Sequence, residues 1–395
     1  MSWEYIRLGD VCTKIGSGAT PKGGATVYID EGTSFIRSQN IYNLEFSHEG
    51  LAHITEDAAK KLNGVAVQKD DVLINITGDS VARTCMVPDA VLPARVNQHV
   101  AIVRPDSNRL NPRFLNYYLT SPYMQSLMLG LAVGKGASRN AMTKDMIANF
   151  DILCPPIEIQ ESIVGILSTY DALIENNQRQ IKLLEEAAQR LYKEWFVDLR
   201  FPGHENTKII DGVPKGWRRE RLVDLVDVQY GYAFDGSQFN ATRNGMPIIR
   251  IRNIPSGNTC DYTTEKVDVQ YVVHNGDILV GMDGEFHINS WSGPDAYLVQ
   301  RTCSFRPNKS SMKGYLLQAI YEPIKFFEST VVGATVAHLG KKHIDTISVL
   351  TCPDNLYVPF QKYYEQRQLL LNQNWLLTEA RDRLLPKLMS GEIEV

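Results

Sequence analysis

The sequence predicts an α+β fold in which two tandem, duplicated mixed α/β domains are separated by a long two-helix antiparallel coiled coil, with pseudo-two-fold symmetry. Three observations predict it: an internal repeat that keeps its order, strand-and-turn patterning inside each copy, and two stretches with apolar residues at alternating steps of four and three.

The repeat is read segment by segment. "FIRSQNI" (35–41) returns as "IIRIRNI" (248–254), and "WEYIRLGDV" (3–11) as "WRRERLVDL" (217–225). "QKDDVLINITGD" (68–79) matches "VHNGDILVGMDG" (273–284), with Asp-Val-Leu answered by Asp-Ile-Leu. "QHVAIVRPDS" (98–107) matches "QRTCSFRPNK" (300–309), and "GASRNAMTKDMIANFDILCPP" (136–156) matches "GATVAHLGKKHIDTISVLTCP" (333–353). A collinear period of this length marks a duplicated domain, because solenoid repeats are far shorter. The matched pieces alternate apolar and β-branched residues between Gly, Pro, Asn and Asp, which reads as short strands and turns. Residues 112–131 and 312–330 add helical spacing at the same place in each copy.

Between the copies, Ile163, Leu167, Tyr170, Ile174, Asn177, Ile181, Leu184, Ala188, Leu191 and Trp195 form one seam. After the second copy, Phe360, Tyr363, Leu370, Leu377, Leu384 and Leu388 keep the same register, with Arg367, Asn374 and Arg381 at its weaker positions. Asn177 and Asn374 are polar seam positions of the kind that set register. Prolines in "PPIEIQ" and "CPDNLYVPFQ" stand where each helix should begin. A core helix inside each domain is the plainer reading of such stripes, but 30 to 40 residues at about 1.5 Å each exceed what a small domain needs. The first helix leads out of copy one and the second leaves copy two, so they pair along their length only by running antiparallel. The expected boundaries are 1–155, 156–203, 204–353 and 354–395.

The chain has 395 residues, 44% of them hydrophobic and 22% charged, without an apolar run long enough to span a bilayer. Together with a start, "MSWEYIRLGD", that lacks a signal-peptide pattern, this predicts a cytoplasmic location with no membrane partner. Six scattered cysteines include no CxxC and support neither a disulfide framework nor a metal site. The net charge of −4 sits in the helical stretches: 157–200 holds eight acids against five Lys/Arg, and 354–395 six against five. The rest is close to neutral, so a basic face on the two domains is allowed. No Walker loop, HExxH, dinucleotide loop or Asn/Asp-Pro-Pro-aromatic motif is present, which gives a catalytic reading nothing to stand on.

"LIENNQRQIKLLEEAAQRLYKEWFVDLRFPGHE" (173–205), "DGVPKGW" (211–217), "ARDRLLPKLMSGEIEV" (380–395), "IGSGATP" (15–21) and "NFDILCPPIEIQ" (149–160) closely resemble the specificity subunit of type I restriction-modification systems. The resemblance covers essentially the whole chain. It implies two target-recognition domains, each reading half of a split, asymmetric double-stranded DNA site, and two helical regions that set the spacing. It further implies two modification subunits that methylate adenine N6, and restriction subunits docked through them. S-adenosylmethionine, ATP and magnesium then belong to those partners, and this chain is non-catalytic and binds no cofactor or metal. A standalone two-headed DNA-binding regulator of the same fold is the alternative.

For DNA contact, phosphates call for Lys, Arg and backbone amides, and base edges for Arg, Asn and Gln. In copy one the candidates are Ser17, Thr20, Lys22, Arg37, Gln39, Asn40, Arg95, Asn97, Lys135, Ser138, Arg139 and Asn140. In copy two they are Tyr232, Arg250, Arg252, Asn253, Asn289, Trp291, Arg301, His338, Lys341 and Lys342. Arg37 and Arg250 recur in both copies and so fit framework as well as readout, and Asn40 and Asn253 fit turn formation. His99, His287 and His338 fit structural or surface roles.

Overall fold

The computed structural model describes residues 3–133, 141–330 and 337–395. The chain divides into two compact units: Met1–Asp171 with Glu379–Val395, and Ala172–Thr378. The division falls inside both long helices, Ile157–Tyr192 and Val358–Ser390.

Each unit holds the same three sheets. In unit 1 a four-stranded antiparallel sheet runs, in spatial order, Cys12–Ser17, Val100–Pro105, Val72–Asn75, Thr84–Met86. A five-stranded sheet runs Tyr28–Ile29, Ala52–Ile54, Thr33–Ile36, Ala94–Val96, Ala66–Val67, with Thr33–Ile36 and Ala94–Val96 parallel. A two-stranded sheet pairs Glu4–Arg7 with Asp151–Cys154. In unit 2 the four-stranded sheet is Val226–Tyr230, Thr302–Pro307, Ile278–Gly281, Ile288–Ser290. The five-stranded sheet is Phe239–Asn240, Tyr262–Thr263, Met246–Ile249, Ala296–Leu298, Val272–Val273, and its parallel pair occupies the same place. Arg218–Arg221 pairs with Ser348–Thr351 to complete the correspondence.

Two central strands, Val72–Asn75 and Ile278–Gly281, carry apolar runs because both of their faces are covered. Val72, Leu73 and Ile74 in unit 1, and Ile278, Leu279 and Val280 in unit 2, are fully buried. Helices begin where the chain supplies caps. Asn111 Oδ1 accepts from the amides of Arg113 (2.9 Å) and Phe114 (3.2 Å), and Pro112 occupies the first turn, where a missing N–H costs nothing.

The first long helix follows Pro155 and Pro156 directly. Buried Gln160 secures its start, donating to the carbonyls of Pro155 (2.8 Å) and Arg109 (3.1 Å) and accepting from Asn111 N (2.8 Å). It ends in a π-helical turn, Lys193–Val197, whose wider bore turns Phe196 into an aromatic cluster with Trp217, Tyr315 and Phe360.

The seam positions on both helices are buried or half-buried: Leu167, Tyr170, Ile174, Ile181, Leu184 and Leu191 on the first, Tyr363, Leu370, Leu377 and Leu384 on the second. Leu183, Leu369 and Leu376, outside that register, are about 60% exposed. Within unit 2, Asn177 donates to Gln373 (3.4 Å), and Arg367 pairs with Glu185 (2.6 Å). Asn374 donates to the Ile174 carbonyl (3.5 Å). Rising numbers on one helix meet falling numbers on the other, so the pair is antiparallel. Within unit 1, Arg381 pairs with Asp171 (2.8 Å), which also accepts from Tyr117 Oη. The two arginines at weak seam positions thus carry the strongest cross-helix polar ties.

Among the described residues, no helix is long and apolar enough to cross a membrane.

Candidate nucleic-acid interface

Recognition loops need a rigid base, and the repeated residues supply it twice. The first strand of each four-stranded sheet leaves through a glycine with no room beside it. A Cβ on Gly18 would stand 2.2 Å from the carbonyl oxygens of Val96 and Asn97, and one on Gly231 would stand 2.0 Å from that of Val299. Only glycine permits that approach. The matched Asp and Arg-Pro segments are also explained. Asp71 accepts two hydrogen bonds from Arg104 (2.6 and 2.7 Å) and Asp277 accepts from Arg306 (2.9 Å). Each aspartate also caps a turn, accepting from Gln68 N (2.7 Å) or His274 N (3.1 Å).

The repeated Arg-x-x-Asn phrase is framework of the same kind. Asn40 Oδ1 accepts from Arg37 N (3.0 Å), and Asn253 Oδ1 from Arg250 N (2.9 Å). Asn40 is fully buried and its amide donates to the carbonyls of Ser47 and Glu49, so no donor remains for a base. The Arg37 Nη2 and Gln39 Nε2 groups both donate to the Gly50 carbonyl, at 2.7 and 3.3 Å. Arg250 lies over the Phe239 ring, 5.4 Å from its centroid.

Among the other candidates of unit 1, Ser17, Thr20 and Lys22 are exposed at the end of the strand Cys12–Ser17 and just after it. Arg95 donates to the carbonyls of Ala59 (3.0 Å) and Ala94 (2.9 Å), and burial pulls its guanidinium below the usual value. Asn97 is buried and accepts from His99 N at 3.1 Å. Lys135, Ser138, Arg139 and Asn140 lie outside the described residues.

In unit 2, Tyr232 is half-buried among Phe234 and Tyr271, and exposed Arg252 is held by Asp261 at 2.6 Å. Two expected readers turn out to be interior. Trp291 is fully buried and donates its indole N–H to the Pro294 carbonyl at 2.6 Å. Asn289 is buried too, donating to the carbonyls of Ile254 and Pro255 and accepting from Arg367 at 2.6 Å. Neither side chain has a polar group left for a base edge, because the second long helix covers the sheet-edge strand that carries them.

Arg301, His338, Lys341 and Lys342 are exposed, and the first two meet at one carboxylate. Arg301 Nη1 lies 2.8 Å from Asp283 Oδ2, and His338 Nδ1 bonds the other oxygen of Asp283. Lys341 and Lys342 open the short helix Lys341–Ile344 that follows. Asp283 escaped the sequence reading. It lies in "GMDG" (281–284), whose match "NITG" (75–78) has Thr77 at that position, and the mismatch inside a matched segment was the signal.

The family model described as the type I restriction modification DNA specificity domain matches residues 1–186 and 214–355, once on each unit's strands. The type I restriction enzyme MjaIX specificity subunit of Methanocaldococcus jannaschii is 24% identical, over 100% of this chain and 94% of that protein. The HindI specificity subunit of Haemophilus influenzae is 21% identical, over 99% of both chains. The crystal structure of a type I restriction-modification S subunit from M. genitalium superposes with a TM-score of 0.53 at 15% identity, covering 98% of this chain and 96% of that one, which bears on the fold alone. With two matched segments on two units of one topology, the chain belongs to the type I restriction-modification DNA specificity family.

Proposed function

We propose that each unit reads one half of a split, asymmetric duplex site and that the paired helices fix the distance between the halves. The observation that carries this reading is the duplication itself: one topology twice in one chain, with shared framework and different exposed side chains. Half-sites about one helical turn apart lie roughly 34 to 36 Å from one another on the same duplex face, which suits a two-headed reader.

On this reading the chain supplies recognition while partner subunits supply chemistry. Two modification subunits methylate adenine N6 in or beside the half-sites with S-adenosylmethionine, and restriction subunits bring ATP and magnesium. The relatives above, specificity subunits of restriction enzymes, support that division of labour. The exposed cations Lys22, Arg301, Lys341 and Lys342 are the proposed DNA contacts of the described residues, together with the exposed polar groups Ser17, Thr20 and Gln39.

The test is the map of N6-methyladenine in a host carrying this chain and its modification partner. The expected result is a two-part motif with a fixed spacer that vanishes when the chain is deleted. Tight specific binding by the isolated chain, with no methylation dependent on it, would instead identify a standalone regulator.

A further inference from the structure

The two units superimpose their hydrogen bonds at one point and differ there in chemistry. In unit 1, Ile76 N donates to the His99 carbonyl (2.9 Å) and Met142 N to the Ile76 carbonyl (2.8 Å). In unit 2, Met282 N donates to the Arg301 carbonyl (2.9 Å) and Leu339 N to the Met282 carbonyl (2.7 Å). Isolated bridges Thr77↔Ala141 and Asp283↔His338 complete the correspondence. The backbone therefore holds residues 77 and 99 in unit 1 just as it holds 283 and 301 in unit 2.

The side chains on that common backbone are unlike. Unit 1 places Thr77 Oγ1 2.6 Å from His99 Nδ1, with Gln98 Nε2 3.3 Å from the other ring nitrogen. Unit 2 places a carboxylate, an arginine and a histidine there. Asp283 has only 16% of its side chain exposed, whereas Arg301 and His338 have 66% and 60%. An ionised carboxylate only accepts, so Asp283 uses one oxygen for each partner and sits beneath both. Arg301 adopts φ +66°, a left-handed conformation that costs a non-glycine residue about 1 kcal/mol and that the surrounding bonds must maintain.

We propose that these paired positions, Thr77 with His99 and Asp283 with Arg301, determine sequence specificity, and that in unit 2 Asp283 positions Arg301 to donate to a guanine edge. This rests on the reading of each unit as a half-site reader. The ion pair of one Nη with Asp283 restrains the guanidinium, and with 66% of the side chain exposed its remaining donors stay accessible from solvent. Two of them match guanine O6 and N7, the commonest bidentate contact in the major groove. A long side chain fixed before binding loses less freedom on contact. Asp283 itself touches no DNA and is a positioning residue.

The experiment uses the full chain with its modification partner and a panel of duplexes carrying every single-base change in the mapped motif. Arg301→Ala is expected to relax discrimination at one base pair of one half-site by roughly fivefold to a hundredfold, leaving the other half unchanged. Asp283→Asn relaxes the same base pair by less, and Arg301→Lys retains affinity without restoring discrimination, because an ammonium lacks the fork. Thermal melting equal to wild type in Arg301→Lys excludes a folding defect as the cause. A loss spread evenly over all duplexes, with a shallower salt dependence, would make Arg301 a phosphate contact and overturn the inference while leaving the proposed function intact. Unchanged discrimination in both Arg301→Ala and Asp283→Asn overturns it equally. A wild-type complex that methylates no defined motif would overturn the half-site reading itself.

Discussion

Unit 1 and unit 2 share their strand order, their parallel strand pair, a glycine at the same strand exit and an Asp–Arg pair under the same turn. They part company in the side chains that the same backbone carries: a Thr77–His99 contact in one, an Asp283–Arg301–His338 cluster in the other. What recurs in the chain is therefore what must be buried or hydrogen-bonded for the sheets to form. What varies lies on positions that the framework holds but does not consume. Repetition within one sequence separates scaffold from reader without any other sequence.

The framework pairs give the largest expected effect. Asp71 is fully buried and Arg104 is 20% exposed, whereas Asp277 and Arg306 are 8% and 28% exposed. Removing one member of a buried pair strands the other, so Asp71→Ala should cost about 3–5 kcal/mol, and Asp277→Ala somewhat less. Amide exchange resolved by unit checks this: protection should fall in the mutated unit first, and equal losses in both units would break the comparison. The turn asparagines come next. Asn40 makes three hydrogen bonds from a fully buried position, and half-buried Asn253 makes one, to Arg250 N. Asn40→Ala should destabilise by about 2–3 kcal/mol and Asn253→Ala by about 1 kcal/mol, read as denaturant midpoints.

The same division explains what the sequence disclosed. "DVL" and "DIL", or the two Arg-Pro pairs, were visible because an ion pair under a sheet needs both members in both copies. The seam was visible because its period is set by helix geometry, and its register survives even at Arg367 and Arg381, where the gap is filled by Glu185 and Asp171. The interior place of Asn289 and Trp291 was not visible. "HINSW" reads as a polar loop, and it becomes a buried edge strand only because Arg367 and Gln368, almost 80 residues later, bond Ser290 from the second long helix. Long-range cover of that kind leaves no local pattern. Nor did spacing announce the π-turn at Lys193–Val197, where one turn of altered phase changes which aromatic faces inward.

A smaller effect tests whether the exposed cations differ in kind from Arg301. Lys341 and Lys342 open a short helix, and Lys22 follows the strand exit of the other unit. If each meets a phosphate, alanine at any one of them lowers affinity uniformly across sequences and reduces the slope of log K against log salt by about 0.9. Titrations of the complex at several salt concentrations supply the slope. A change confined to one base pair would place that lysine among the readers and sharpen the boundary between the two classes.

The smallest perturbation leaves the native fold untouched and asks which unit opens. Burial pushes the thiols of Cys12, Cys85 and Cys352 up to about 12, with Glu45 adding to the effect at Cys85. At pH 8 only about one in ten thousand of such groups is a thiolate, the form that reacts. Cys260 of unit 2 is exposed, whereas the cysteines of unit 1, Cys12, Cys85 and Cys154, are buried or half-buried. Titration of the native chain with a thiol reagent at pH 8 should therefore modify Cys260 first, and peptide mapping should find Cys85 labelled only as fast as unit 1 opens. In Asp71→Ala the Cys85 rate should rise while that of Cys260 stays fixed. The reason is spatial: Cys85 pairs with Leu73 across the sheet, two residues along the strand from Asp71, so loosening that strand exposes the thiol directly.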